Sequence, residues 1–130
     1  MSEEKAWYLI TDYKNEPHPK KKFTSIQIEN VNDIDDLKKK FITNSKLNVP
    51  ANELVVWRCT DPNANFDDTD LEVLKVQVSN TFNLKKVKKL ASMTKIAALE
   101  LFKDAKSEIF FLQMLSALLD SFLLLLFSKY

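Results

Sequence analysis

The polar segment at residues 61–72, DPNANFDDTDLE, comes closest to a metal-binding motif in this chain. Four oxygen-bearing residues stand at positions one, three, five and twelve of a calcium-binding EF-hand loop: Asp61, Asn63, Asn65 and Glu72. Phe66, however, occupies the position at which that loop needs glycine for its sharp turn. The preceding residues, LVVWRC, are typical of a strand, whereas an EF-hand loop follows a helix. The segment therefore predicts a turn and a helix cap, and we expect no bound metal.

The chain contains one cysteine, Cys59, and one histidine, His18, which leaves little for nucleophilic or metal chemistry. The histidine stands between two prolines and far in sequence from the cysteine. We therefore interpret His18 as an exposed turn residue and Cys59 as an inert thiol at a strand end. The absence of glycine excludes Gly-rich phosphate loops and nucleophile elbows in their usual forms. We expect no catalytic residue, no cofactor and no enzymatic activity.

The segment KKVKK at residues 85–89 contains the candidate binding residues of the chain: Lys85, Lys86, Lys88 and Lys89. A nucleic-acid-binding surface usually interleaves lysine with arginine and aromatic side chains. Arg58, however, is the only arginine of the chain, and Phe82 is the only aromatic residue near this run. The formal net charge of +1 provides no overall attraction for nucleic acid, so we expect none as a partner. Two interpretations of the lysines stay open, a solvated face and a charged surface for a protein partner.

The charged residues of NDIDDLKKKFI, at residues 32–42, are predicted to build a helix and not a catalytic or metal site. Apolar residues recur at helical spacing on one face: Ile34, Leu37 and Phe41. Asp33 is the predicted N-cap, and the two aspartates after it lie in the first turn, where negative charge is favoured. Lys39 and Lys40 each follow an aspartate by four residues, the spacing of ion pairs on a helix. The charged face is thus expected in solvent.

Strands are predicted on both sides of this helix. Residues 6–14 and 23–30 are rich in aromatic and β-branched residues and are separated by a turn with two prolines, which predicts an antiparallel pair. The continuous apolar run at residues 54–57 is typical of a central strand. We expect the helix to cover a sheet that is centred on Val55 and Val56.

After the central strand, two helices are predicted, and one segment between them fits either a strand or a helix. A second helix is predicted with its N-cap at Thr69 or Asp70. Its apolar residues recur at helical spacing: Leu71, Leu74 and Val78. Residues 84–92, which include the lysine run, fit either a strand or a helix. A short helix, capped by Ser92 or Thr94, is predicted over residues 92–102.

The order strand, turn, strand, helix and strand over residues 6–58 resembles the first half of the β-grasp, or ubiquitin-like, fold. The sequence SIQIENVNDIDDLKKKF followed by VPANELVVW is similar to the passage from the second strand through a capped helix to the central strand of such domains. The resemblance implies an α+β fold in which one main helix packs on a β-grasp sheet. Ubiquitin is conjugated through a C-terminal diglycine, and this chain has no glycine, so recognition is implied and not tagging.

A sharper resemblance is to the N-terminal domain of Crinkler effectors of fungi and oomycetes, and it covers about residues 6–102. Four segments follow in the order that this family shows: DIDDLKKKF, NELVVWRC, DDTDLEVLK and KKVKKLASMTKIAALELF. The strand that usually follows the last segment in the family is not evident in this sequence. The resemblance implies a non-enzymatic interaction or translocation module of a secreted, host-targeted effector with a host protein as partner. The N-terminal residues lack the pattern of a secretory signal peptide.

The apolar segment at residues 109–127, IFFLQMLSALLDSFLLLLF, is predicted to form a hydrophobic helix. Gln113, Ser116 and Asp120 recur at helical spacing, so this helix has one polar stripe and can pack on the domain or on a second copy. The segment is also long and apolar enough for membrane insertion. We therefore expect a ubiquitin-like domain over residues 1–103 and a helical tail over residues 104–130. Membrane contact and oligomerisation through the tail stay open, and the alternative function is a membrane-tethered adaptor anchored by it.

Overall fold

The fold is seen in a computed structural model that describes residues 5–19, 22–28, 30–61, 64–67, 70–96 and 107–115. Within these ranges the chain forms a five-stranded mixed sheet and two α-helices, which is an α+β fold. In chain order the elements are β1 (Lys5–Thr11), β2 (Thr24–Gln27), α1 (Ile34–Ser45), β3 (Leu54–Cys59), α2 (Leu71–Asn83), β4 (Val87–Leu90) and β5 (Ser107–Met114). A short 3₁₀ turn, Ala51–Glu53, leads into β3.

The strands lie in the order β2, β1, β5, β3, β4. β1 and β2 form the predicted antiparallel pair. β5 lies at the centre, parallel to β1 on one side and antiparallel to β3 on the other. β3 is an interior strand, as the apolar run at residues 54–57 predicted, but it lies beside the centre of the sheet. Residues 84–92, which fitted two kinds of element, contain the edge strand β4.

The prediction of a hydrophobic helix over residues 109–127 is wrong for the residues that β5 contains. A strand that is buried on both faces of a sheet has no polar alternation, so its periodicity does not distinguish it from a buried helix. Gln113, taken as part of a polar stripe, lies in β5, accepts a 2.8 Å hydrogen bond from Trp57 Nε1 and donates a 3.1 Å bond to the Tyr13 carbonyl. Residues 116–130 lie outside the described residues, so the rest of the predicted tail is untested.

Helix α1 covers one face of the sheet, as its apolar spacing predicted. Ile34, Leu37 and Phe41 are fully buried, and each such side chain contributes about 1.5–3 kcal/mol through burial. They pack in one cluster with inward-facing residues of all five strands: Ala6, Tyr8, Ile10, Ile26, Leu54, Val56, Leu90, Phe110 and Leu112. Val56 belongs to this cluster, whereas Val55 points to the opposite face because side chains alternate along a strand. The sheet is therefore centred on β5, next to the strand that carries Val55 and Val56.

The N-terminus of α1 is capped as predicted. Asp33 is the N-cap, and its Oδ1 accepts a 2.9 Å hydrogen bond from the backbone N–H of Asp36. Lys39 forms the expected ion pair with Asp35 at 3.1 Å. The second expected ion pair, between Lys40 and Asp36, is not formed within the described residues. The Asp36 carboxylate instead accepts a 3.1 Å hydrogen bond from the backbone N–H of Asn32, which closes the cap.

Helix α2 covers the opposite face of the sheet, which corrects the expectation of one main helix. It begins after Asp70, whose carboxylate accepts a hydrogen bond from the backbone N–H of Glu72 and forms one of the two predicted N-caps. Leu74 and Val78 are buried from α2 and pack with residues of the sheet and of the preceding loop: Leu9, Cys59, Phe66 and Phe111. The sheet is therefore covered by a helix on each face.

The predicted short helix over residues 92–102 is replaced by a turn where the structure describes it. Within residues 92–96 the chain runs along the N-terminus of α1, where the carbonyls of Ser92 and Thr94 accept hydrogen bonds from the backbone N–H groups of Asp35 and Ile34. The two predicted cap residues thus satisfy the first N–H groups of α1, which have no partner within their own helix. Residues 97–106 lie outside the described residues.

Each helix is followed within two residues by a lysine with positive φ, a conformation that glycine usually adopts after a helix. Lys46 follows α1 with a φ of 54° and Lys85 follows α2 with a φ of 58°. The left-handed conformation costs an L-residue about 1–2 kcal/mol, and glycine avoids this cost. Glycine also loses more conformational entropy on folding, which offsets about half of that gain. We expect Lys46→Gly to raise the free energy of unfolding by about 0.5–1 kcal/mol in urea denaturation.

The matched control for this substitution is Lys40→Gly, in the interior of the same helix. Glycine there is expected to lower the free energy of unfolding by about 1 kcal/mol, since it gains no relief of φ and loses helix propensity. A destabilisation by Lys46→Gly of the same size as that by Lys40→Gly would contradict the strain at the end of α1.

Candidate functional site

The four predicted binding lysines lie together at one edge of the sheet. Lys85 and Lys86 connect α2 to β4, and Lys88 and Lys89 lie within β4. All four are exposed. β4 pairs with β3 alone among the described strands, so its other side is an edge. We call these four lysines together with β4 the lysine edge.

The two lysines of β4 point to opposite faces of the sheet. Lys88 is the register partner of Arg58, and Lys89 is the register partner of Trp57, which packs with the α2-side core. Val87 and Leu90 pack into the α2-side and α1-side cores, respectively. β4 is therefore anchored by one apolar residue on each face and carries one lysine on each face.

The backbone N–H and C=O groups of Val87 and Lys89 point away from β3 and form no hydrogen bond to another of the described strands. The N–H of Thr60 donates to the carbonyl of Lys86 at 2.8 Å, in the same register as the β3–β4 pairs. The N–H and C=O of successive strand residues point to alternate sides. Lys88 and Leu90 therefore bond toward β3, whereas Val87 and Lys89 direct their backbone groups outward.

Two of the four lysines have structural tasks. Lys86 forms an ion pair with Asp61 at 3.3 Å. Lys85 ends α2: its N–H bonds to the Phe82 carbonyl at 3.1 Å, and the N–H of Lys86 bonds to the Thr81 carbonyl at 3.0 Å. Within the part of the chain that the structure describes, Lys88 and Lys89 form no ion pair. The binding charge of the lysine edge therefore rests chiefly on Lys88 and Lys89.

A buried lysine beside this edge was not predicted from the sequence. Lys38 of α1 is only 5% exposed, and its Nζ donates a 2.6 Å hydrogen bond to Ser92 Oγ, just beyond β4. Burial lowers the pKa of Lys38, and the charge of Asp35 opposes this only in part. No carboxylate lies within ion-pair distance of Lys38 among the described residues. The sequence spacing could have indicated this burial, because Lys38 follows Ile34 by four residues and so shares its buried helical face.

The lowered pKa of Lys38 gives a prediction about stability and pH. Burial disfavours the charged form in the folded state, so the unfolded chain binds more protons between the lowered pKa and the ordinary lysine value. The free energy of unfolding therefore rises with pH across that window. We expect Lys38→Met to be more stable than the wild type at pH 7, with the difference shrinking as the pH rises through the window, as measured by urea denaturation.

The control for this prediction is Lys40→Met, a half-buried lysine on the same helix. It is expected to change the free energy of unfolding by less than about 1 kcal/mol at pH 7. Equal stability of Lys38→Met and wild type at pH 7 would show that burial does not penalise the Lys38 ammonium.

The residues that resemble a calcium loop serve other purposes. Asp61 pairs with Lys86, and Asn65 Oδ1 accepts a 3.0 Å hydrogen bond from the N–H of Asp67. Glu72 pairs with Lys75 at 3.5 Å, and Phe66 is buried in the α2-side core. Asn63 lies outside the described residues. Across the described ranges, no three histidine, cysteine or carboxylate side chains are grouped to hold a metal ion.

Cys59 and His18 lie at opposite ends of the sheet. The backbone N–H of His18 bonds to the carbonyl of Ile10, near the end of β1 that adjoins the start of β3. Cys59 ends β3 and is buried, and this burial raises the pKa of its thiol. A buried thiol with a raised pKa is a poor nucleophile, as its interpretation as an inert thiol predicts.

The opposite edge of the sheet borders a groove of about 380 Å³ between β2 and α1. Ile26 and Gln27 line it from β2, and four residues of α1 complete it, among them Lys39 and Lys40. Lys39 is already paired with Asp35. This groove therefore offers a weaker positive charge than the lysine edge.

Comparison with known proteins identifies no relative, so the functional assignment depends on the geometry described above. No family model matches the chain, and no curated protein matches it. Within the described residues, no helix has both the length and the apolar character needed to cross a membrane.

Proposed function

We propose that this chain is a non-enzymatic protein-interaction module with a ubiquitin-like β-grasp fold, of the kind found at the N-terminus of Crinkler effectors. The observation that carries the proposal is the strand order β2, β1, β5, β3, β4 with a parallel central pair, together with a helix between β2 and β3. The β-grasp has the same strand order, which supports the proposal. β5 also supplies, at residues 107–114, a strand after the last resembling segment, where the Crinkler family has one.

The binding mode follows from what the two helices leave open. α1 and α2 each cover one face of the sheet, so recognition through a bare sheet face is disfavoured. The edges of the sheet remain, and an edge strand can recruit a partner through its backbone and its flanking side chains. Of the two edges, β4 carries the lysines. A host protein is the proposed partner, and secretion toward a host cell is proposed from the Crinkler resemblance alone.

The test is capture of partners from host-cell extract by the full chain and two charge variants. In the first variant all four residues of the lysine edge are replaced by glutamine. In the second, four exposed lysines elsewhere are replaced in the same way: Lys5, Lys14, Lys22 and Lys95. We expect the first variant to lose a partner that the wild type and the second variant retain, with circular dichroism verifying that both variants are folded. Equal capture by all three chains, or equal loss from both variants, would overturn binding at this edge.

The membrane-tethered adaptor is the weaker proposal. β5 pairs with strands on both sides, so residues 109–114 of the apolar segment belong to the sheet. The remaining apolar stretch, residues 115–127, is shorter than the roughly 20 residues that a spanning helix needs. Recovery of the full chain in a membrane fraction that only detergent extracts would reverse this ranking.

A further inference from the structure

We propose that the lysine edge binds an extended acidic segment of a partner protein, which adds to β4 as a sixth strand. This inference rests on the proposed function and assigns the chemistry of its partner. Val87 and Lys89 supply the outward backbone groups that such a strand requires. The partner is a segment with carboxylates at its centre and an apolar residue at each end.

The acidic centre of the partner follows from the charges around β4. Lys88 and Lys89 project from the two faces of the strand and form no ion pair within the described residues. Lysines on an edge strand repel a second copy of the same strand, which protects the edge from self-association. Successive side chains of an added strand lie on opposite faces of the sheet, so adjacent carboxylates in its centre meet both lysines.

Lys38 and Ser92 provide a place for one carboxylate of the partner. Lys38 is a buried ammonium whose hydrogen-bond partner is the neutral hydroxyl of Ser92, and it lies close enough to Lys89 for the two charges to repel. Among the described residues Lys38 has no counter-ion within ion-pair distance, and the charge of Asp35 offsets its costly burial only in part. A carboxylate that approaches over the exposed turn at Ala91 and Met93 supplies that counter-ion at the end of β4.

The apolar ends of the partner follow from two exposed side chains that flank β4. Leu84 is 64% exposed before the strand, and Met93 is 80% exposed after it. Exposed large apolar side chains on both sides of a charged strand provide contact area at the two ends of an added segment. Along the chain, the lysine edge thus has an exposed apolar residue before it, a charged centre and a second exposed apolar residue after it.

The experiment uses the full chain and a fluorescein-labelled peptide in which consecutive glutamates at the centre, whose side chains fall on both faces of an added strand, are flanked on each side by valine and a terminal leucine. Fluorescence anisotropy measures binding, and a peptide with glutamine in place of glutamate is the comparison. We expect the glutamate peptide to bind at least about tenfold more tightly, since it makes charge-assisted contacts, and to weaken as salt rises. Amide NMR shifts are expected at Val87 and Lys89. Shifts confined to Ile26 and Gln27 would place the peptide at the β2 groove and overturn the proposal.

Two pairs of variants separate strand addition from simple attraction between charges. Lys89→Ala removes one charge, whereas Lys89→Pro also removes an outward N–H while leaving the bonds to β3 intact. We expect the proline variant to bind the peptide about tenfold more weakly than the alanine variant. Lys38→Met is expected to lose affinity by about tenfold although its fold is more stable, whereas Lys40→Met keeps the wild-type affinity. If Lys38 had only a structural role, Lys38→Met would not lose affinity for the peptide.

The outcomes distinguish this inference from the proposed function. If the proline and alanine variants bind the peptide equally, and Lys38→Met binds as the wild type does, strand addition at β4 is wrong. The proposed function survives that result if capture of a host protein still depends on the four lysines. If capture is also independent of them, both proposals fail.

Discussion

A chain that ends at residue 103 is expected to be unfolded, because it lacks the central strand of the sheet. β5 supplies a run of buried side chains to both cores: Phe110, Phe111, Leu112, Gln113 and Met114. Each apolar member contributes about 1.5–3 kcal/mol through burial, and a domain is stable by only about 5–15 kcal/mol in total. Removal of β5 also separates β1 from β3, which pair only through it. Far-ultraviolet circular dichroism and urea titration of the purified chain test this expectation.

The control for this truncation is a chain that ends at residue 115 and keeps β5. It is expected to regain a cooperative unfolding transition. A cooperative transition in the chain that ends at residue 103 would mean that residues 1–103 form a complete domain. In that case the boundary predicted from the sequence would be correct, and the central position of β5 would be wrong.

Phe111→Ala is expected to lower the free energy of unfolding by about 3–5 kcal/mol, the largest effect that we expect from one substitution. Phe111 is fully buried in β5 and lies in the core beneath α2. Its ring contacts Phe66 at a centroid distance of 5.0 Å and Phe82 at 5.1 Å, so alanine leaves a cavity between the sheet, the loop before α2 and α2 itself. Urea denaturation of the variant measures the loss.

The matched control is Leu115→Ala, one residue beyond the end of β5, where the side chain is 49% exposed. This substitution is expected to change the free energy of unfolding by less than about 1 kcal/mol, because little buried surface is lost. A helix that packs only one stripe would not bury both Phe110 and Phe111. Large decreases in the free energy of unfolding for both Phe110→Ala and Phe111→Ala would therefore support a strand at these residues. A small decrease for Phe111→Ala would contradict it.

The arrangement of the two helices affects how a sheet of this kind can be recognised. α1 and α2 bury inward-facing side chains on opposite faces of β5. A partner then has access to the edges, to the outer sides of the helices and to the loops. The lysine edge differs from the β2 edge in charge, in its flanking exposed apolar residues and in its proximity to the buried ammonium of Lys38, which Asp35 compensates only in part.

Local sequence signals predicted most of the individual elements. Helix α1 follows from the spacing of Ile34, Leu37 and Phe41 and from an N-cap at Asp33, which are interactions between residues a few positions apart. α2 follows for the same reason from its apolar spacing and the cap at Asp70. β1, β2 and β3 follow from β-branched and aromatic runs. The sequence also indicated the positions and exposure of the four lysines, since a run of charges seldom lies in a core.

Tertiary structure alone decided what the last apolar segment becomes and where the lysines lie. Residues 109–114 are apolar except for Gln113, so periodicity cannot distinguish a helix from a strand that is covered on both faces. The outcome depends on hydrogen bonds to β1 and β3, whose residues lie about 50 to 100 positions away in the sequence. The same pairing places β4 at an edge and brings Ser92 to Lys38, because non-local contacts, unlike helical spacing and caps, are not encoded in any short stretch of residues.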